Sequence, residues 1–139
     1  MELPNASIDE WVSELKVYQA NSINQMLQDN EPEEVIKLWL SANGPNTTIQ
    51  FGGASDSPEP FFDRFKEEFR KFICGDAAYN SFREQLQSEA PIAKAMYISI
   101  ISAALGATLG YAATLLAPAI AIMLNLVCVM GKNAWCEAN

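Results

Sequence analysis

The sequence predicts an all-α protein, a small helical bundle of four amphipathic helices followed by a C-terminal hydrophobic helical pair or hairpin. Three observations predict it. Apolar residues recur at helical spacing through the first 90 residues. Cap residues, first-turn prolines and acids stand where such helices should begin. The run from Ala95 to Gly131 carries no charge at all, and a helix apolar all round is a core helix or a membrane helix.

The first helix opens at Ser7, where Glu10 completes a capping box. Ile8, Trp11, Val12, Leu15, Tyr18, Ser22 and Met26 then fall on one face, and the helix is expected to run to Asp29–Asn30. A second helix begins at Glu31–Pro32, carries Val35, Ile36, Leu38, Trp39 and Leu40, and stops at Asn43-Gly44-Pro45. Residues 45–57 form a loop, with Thr48–Phe51 as its one segment suited to an extended form. Ser57-Pro58-Glu59 opens the third helix, striped by Phe62, Phe65, Phe69 and Phe72 and ended by Gly75. Arg64 with Glu68, and Glu67 with Lys71, can pair on its wet side. Asp76 caps a fourth helix bearing Tyr79, Phe82 and Leu86, and Ser88–Pro91 starts a fifth.

Pro118 is the one proline inside the uncharged run. A proline breaks or bends a helix in the turn before it. The expectation is therefore two helices, about 91–115 and 118–135, joined near Thr114–Ala117. Ser102, Gly106, Gly110 and Thr114 recur every four residues, a small-residue ridge that lets another helix approach closely. As one straight helix the run would measure roughly 55 Å, too long for a single crossing; as two, each half sits at the short limit for spanning. Lys94 and Lys132 bracket it.

The chain has 139 residues and a net charge of −8, and beyond Lys94 only Lys132 and Glu137 are charged. An acidic amphipathic part, 1–90, is thus joined to a neutral apolar one, 91–139. Acidity argues against nucleic acid, which needs a basic stripe. The first twenty residues lack a basic n-region, so no signal peptide is expected. Cys74, Cys128 and Cys136 read as reduced thiols of a cytosolic protein. The glycosylation-type triplets at Asn5 and Asn46 are then chance matches.

Much chemistry is excluded. With no histidine, the commonest general base, Ser-His and Cys-His pairs, and His-based metal sites are all missing. Ser13-Glu14-Leu15-Lys16 matches S-x-x-K without the companion motifs. Gly52-Gly53 is too short for a phosphate loop, and Glu33/Glu34 and Glu67/Glu68 read as solvated faces. No catalytic, cofactor-binding or metal residue is expected.

What remains is a non-enzymatic protein working by helix packing, oligomerisation and membrane insertion, of the kind a small bacterial toxin or antiviral-defence effector would be. Ser102, Gly106, Gly110, Thr114 and Pro118 would do the packing or insertion. The Phe62/Phe65/Phe69/Phe72 stripe is core or a partner face. The expected partners are a membrane and a protein partner or second copy, at the cytoplasm or the inner face of the cytoplasmic membrane. The rival is a soluble all-α adaptor or immunity-like binding protein with the hydrophobic pair as its core. In layout alone, the sheathed pair resembles the buried hairpin of pore-forming bacteriocins.

Overall fold

The computed structural model describes residues 3–4, 6–43, 59–88 and 93–139. Among these residues there are eight α-helices and no strand: α1 Ile8–Val12, α2 Val17–Asp29, α3 Pro32–Asn43, α4 Glu59–Cys74, α5 Asn80–Ser88, α6 Lys94–Leu109, α7 Ala113–Met130 and α8 Lys132–Ala138. A 3₁₀ turn, Ala77–Tyr79, leads into α5. The loop read over 45–57, the Ser57-Pro58 helix start, the Asn5 and Asn46 triplets and the 89–91 part of the fifth helix start lie outside the described residues.

Local signals place several ends as read. Ser7 Oγ accepts from Glu10 N at 3.2 Å, and Glu10 Oε1 accepts from Ser7 N at 3.0 Å, the reciprocal pair of a capping box. The bond to Ser7 N holds the Glu10 carboxyl below its ordinary range. α3 spans Pro32 to Asn43, and α4 ends before Gly75.

The long first helix is a correction. The chain breaks at Ser13–Lys16, where Ser13 Oγ donates to Glu10 O at 2.8 Å. Tighter bonds from Glu14 N to Trp11 O and Leu15 N to Val12 O follow. A serine hydroxyl offers the backbone an alternative to the helix. The break re-phases the buried face: Trp11, Val12 and Leu15 point inward, then Gln19 and Ile23, while Val17 and Tyr18 are exposed. The ion pairs shift too. Glu67 takes Arg70 and Glu68 takes Lys71, both at i,i+3.

The apolar run is divided elsewhere than at its proline. α6 stops at Leu109, Gly110 caps it in the left-handed conformation (φ +74°), and α7 runs through Pro118. The turn folds back so tightly that a Cβ on Gly106 would lie 2.6 Å from Tyr111 O. Glycine at 106 and a left-handed residue at 110 together place the reversal.

α7 is the centre of the molecule. It packs against α6, α3, α1, α2 and α8, while α4 covers α6 and α8, and α5 lies on α6. Residues from every helix join one buried cluster. The second break, at Gly131, returns α8 to α4, where Cys136 is bonded to Cys74 with the Cα atoms 5.8 Å apart. The expectation of three reduced thiols is therefore replaced by one bridge and one free thiol, Cys128. With it goes the cysteine-based argument for a reducing compartment.

Candidate functional site

The interior of α7 poses a problem that proline creates. Pro118 has no N–H, so the carbonyl of Thr114, four residues back, loses its helical donor. Gln19 of α2 reaches in and supplies one: Nε2 donates to Thr114 O at 2.9 Å. The next carbonyl, Leu115 O, accepts from Trp39 Nε1 of α3 at 2.7 Å. Gln19 is 1% exposed, so its amide depends on this bond, although Thr114 itself lies at the surface. Two amphipathic helices thus hold the start of the apolar helix by its backbone.

Beside this lock lies a cleft of about 250 Å³. One wall is α6, through Ile98, Ser99 and Ser102; another is the segment from Glu14 to Gln19. The first turn of α7, with Ala113 and Thr114, closes the end. α7 starts at Ala112 with no side-chain cap, so the positive end of its dipole is not answered by a capping oxygen. Ser102 is 2% exposed, and its Oγ has no hydrogen-bond partner. A buried hydroxyl left unbonded is uncommon and calls for an explanation. Lys16 and Glu14, both exposed, stand at the mouth.

The five predicted packing residues are thus separated by role. Ser102 and Thr114 line the cleft; Gly106 and Gly110 make the turn; Pro118 is buried in α7 and sets up the Gln19 bond. They do not form one continuous ridge, because Gly110 ends the helix that carries Ser102 and Gly106. Phe62, Phe65, Phe69 and Phe72 are all buried. Phe65 stacks on Phe69, Phe69 meets Trp135 edge-on at 5.6 Å, and Phe72 packs on Tyr79 at 5.5 Å. The stripe is core, and the folded chain offers none of it to a partner.

Gln19 and Arg83 carry weight that the sequence reading missed, and Trp39, read there only as an apolar position, adds its indole bond to α7. Arg83 is buried, and its guanidinium donates to Phe72 O at 2.8 Å, to Lys71 O at 3.3 Å, to Asp76 O at 2.5 Å and to Asn80 Oδ1. It satisfies the last carbonyls of α4 and pins the turn at Gly75. The available signal was an arginine on the Phe82–Leu86 face of α5. Nearby, Tyr79 Oη donates to Glu68 Oε1 at 2.5 Å and lies 3.1 Å from Thr108 Oγ1. Burial, helped by the Glu68 bond, pushes its hydroxyl up to about 12. Burial likewise pushes the Cys128 thiol up, the opposite of a reactive cysteine.

Among the described residues no group of His, Cys, Asp and Glu could hold a metal ion. A nucleophilic serine needs a base within about 3 Å, and Ser102 Oγ has no such partner. A second hollow, beside Asp9, Asn24 and Glu31, is a wide surface depression with a polar rim. The chain matches no protein-family model, no curated protein and no solved structure with which it was compared.

Proposed function

We propose that this is a non-enzymatic all-α binding protein in which α6 and α7 are a permanent core rather than an inserting hairpin. The observation that carries the reading is the pair of bonds from Gln19 and Trp39 to the Thr114 and Leu115 carbonyls. Moving α7 into lipid would strip both carbonyls of their donors. An unsatisfied backbone group in hydrocarbon costs several kcal/mol. Each apolar residue gains only a few tenths on insertion, so a good part of the helix would be spent on two oxygens. The cleft walled by α6, the first turn of α7 and the Glu14–Gln19 segment supports binding as the activity.

The test is the full chain without detergent, by light-scattering chromatography and by flotation with phosphatidylcholine/phosphatidylglycerol vesicles. A monodisperse protein that stays at the bottom of the gradient is the expected result. Flotation with α7 protected from protease would overturn the reading.

A second reading, membrane insertion or self-association in the manner of a toxin or defence effector, has its own support. Among the described residues α7 is the one helix long and apolar enough to cross a membrane, with just over half of it buried. The outward face of α6 shows Ala95, Ser99, Ala103 and Ala107, none charged. Val129 and Met130 at the end of α7 are 78% and 51% exposed. The same flotation experiment decides between the two.

A further inference from the structure

α8 is held to the rest of the molecule by little besides its bridge. Of its seven residues only Trp135 is buried, edge-on against Phe69 at 5.6 Å. The helix has no side-chain cap, and one this short does not stand alone in water. It joins α7 through the single residue Gly131, where no atom lies within 4 Å of the place a Cβ would take. α4, on the other side of the bridge, is fixed. Phe62, Phe65, Phe69, Phe72 and Ile73 are buried, and Arg83 bonds the Phe72 carbonyl near its end. Cys74 and Cys136 are each only half-buried, so a small thiol can reach the bond between them. Cys128, the free thiol, is engaged elsewhere: its Sγ donates to Pro4 O at 3.2 Å. Burial pushes that thiol up, which keeps it from exchanging with the bridge.

We propose that the Cys74–Cys136 bridge is a reducible latch: a dithiol reductant cuts it in the folded protein, and α8 then swings away from α4 about Gly131 while α1 to α7 stay folded. One thiolate of the dithiol attacks a bridge sulfur, forming a mixed disulfide and expelling the other cysteine as a thiolate, which takes up a proton. The second thiol of the reductant then closes on the first and releases the remaining cysteine. Two electrons and two protons pass to the protein as two thiols, and the reductant leaves as a cyclic disulfide. What the swing uncovers is apolar: Trp135 and the part of Phe69 it covers. Val129 and Met130, already exposed, directly precede the hinge. Local opening is easiest where buried contacts are fewest, and here they come down to one side chain. The α6–α7 pair takes no part in the motion, so the latch stands apart from the reading above.

The experiment treats the full chain with dithiothreitol in buffer without denaturant or detergent. One aliquot is alkylated for mass spectrometry; the rest is followed by amide exchange, acrylamide quenching and far-UV dichroism. Cys74 and Cys136 should both take the label, with Cys128 lagging. Amides of α8 should exchange at least about tenfold faster than in the bridged protein, and ahead of those in α7. The far-UV signal should fall by no more than the seven residues of α8. Acrylamide should gain access to one tryptophan of the three, a gain absent from Trp135→Phe. Oxidised glutathione, added to unalkylated protein, should reverse each change. Cys136→Ser, which needs no reductant, should show the same fast exchange in α8. A bridge that yields only in denaturant overturns the proposal. So does a reduced chain, or Cys136→Ser, in which α8 and Trp135 stay as protected as in the bridged form. Loss of all helices together on reduction overturns it too, since the bridge would then be a staple for the whole fold.

Discussion

Gln19 Nε2 stands 2.9 Å from Thr114 O, the carbonyl that Pro118 deprives of its helical donor, across 95 residues of chain. Replacing Gln19 by Met keeps the volume and leaves the oxygen bare. The expected cost is about 1–3 kcal/mol in urea unfolding. Pro118→Ala restores an N–H to the same oxygen, so Gln19→Met should cost at least about 1 kcal/mol less in that background. Additive effects in the double-mutant cycle would show that the two residues act independently.

Arg83 bonds the last carbonyls of α4 from one side chain, beside the backbone bond from Asp76 N to Lys71 O. Arg83→Met should leave the buried Phe72 carbonyl without its side-chain donor, while Lys71 O keeps Asp76 N and Asp76 O keeps Tyr79 N, and cost about 1–3 kcal/mol. Arg83→Lys keeps the charge but not the planar fork and should recover only part of it. Thermal melts of the two variants against the parent measure the order; equal stability of lysine and arginine would mean that charge alone matters.

Tyr79 makes the fold sensitive to alkali. Its hydroxyl sits at about 12 when folded and 10.0 when free. The neutral form is the one the folded state favours, so the contribution is complete below pH 10 and is lost as pH rises through about 12. Urea midpoints should fall over that window, and Tyr79→Phe should flatten that part of the curve. A variant that falls as steeply as the parent would remove Tyr79 from the account.

The reversal between α6 and α7 allows a comparison of two glycines. A methyl on Gly106 would meet backbone, Tyr111 O, at 2.6 Å, whereas Gly110 has open space and a φ of +74°. Gly110→Ala should cost about 1–2 kcal/mol of left-handed strain. Gly106→Ala should cost more, because the turn itself must move. Denaturation midpoints of the two variants decide the order.

Reducing the Cys74–Cys136 bridge frees a chain closure of 62 residues. In the chain-entropy account that is worth about 4 kcal/mol. Dithiothreitol, or Cys74→Ser, should lower the melting temperature and speed hydrogen exchange in α8 ahead of α7. Simultaneous exchange of all helices would show that α8 needs no tether.

What the sequence disclosed follows the range of the forces involved. The capping box at Ser7 and Glu10, the span from Pro32 to Asn43 and the stop at Gly75 each depend on residues within a turn or two, and each was readable. The burial of the Phe62–Phe72 stripe followed from spacing. Pro118 misled, because whether a proline ends a helix depends on who feeds its stranded carbonyls, and those donors lie on α2 and α3. The break at Ser13 was hidden for a similar reason: the apolar pattern continues across it, and only the need to aim Gln19 at α7 distinguishes the two phases. Ser102 and Thr114 were picked as small packing residues; that they border a hollow depends on Gly110 turning the chain. The bridge between Cys74 and Cys136 has no local signature at all, since neither residue foretells that α8 returns to α4.

That bridge also makes a covalent ring of everything from the end of α4 to α8, with α5, α6 and α7 inside it. Tension applied at the two termini stretches only the polymer outside the ring and passes through sulfur rather than through the apolar helices. In a single-molecule pull, roughly 200 Å of contour stays hidden until the bond is cut. An oxidised molecule that opens does so as a loop anchored at both ends, never as a loose tail.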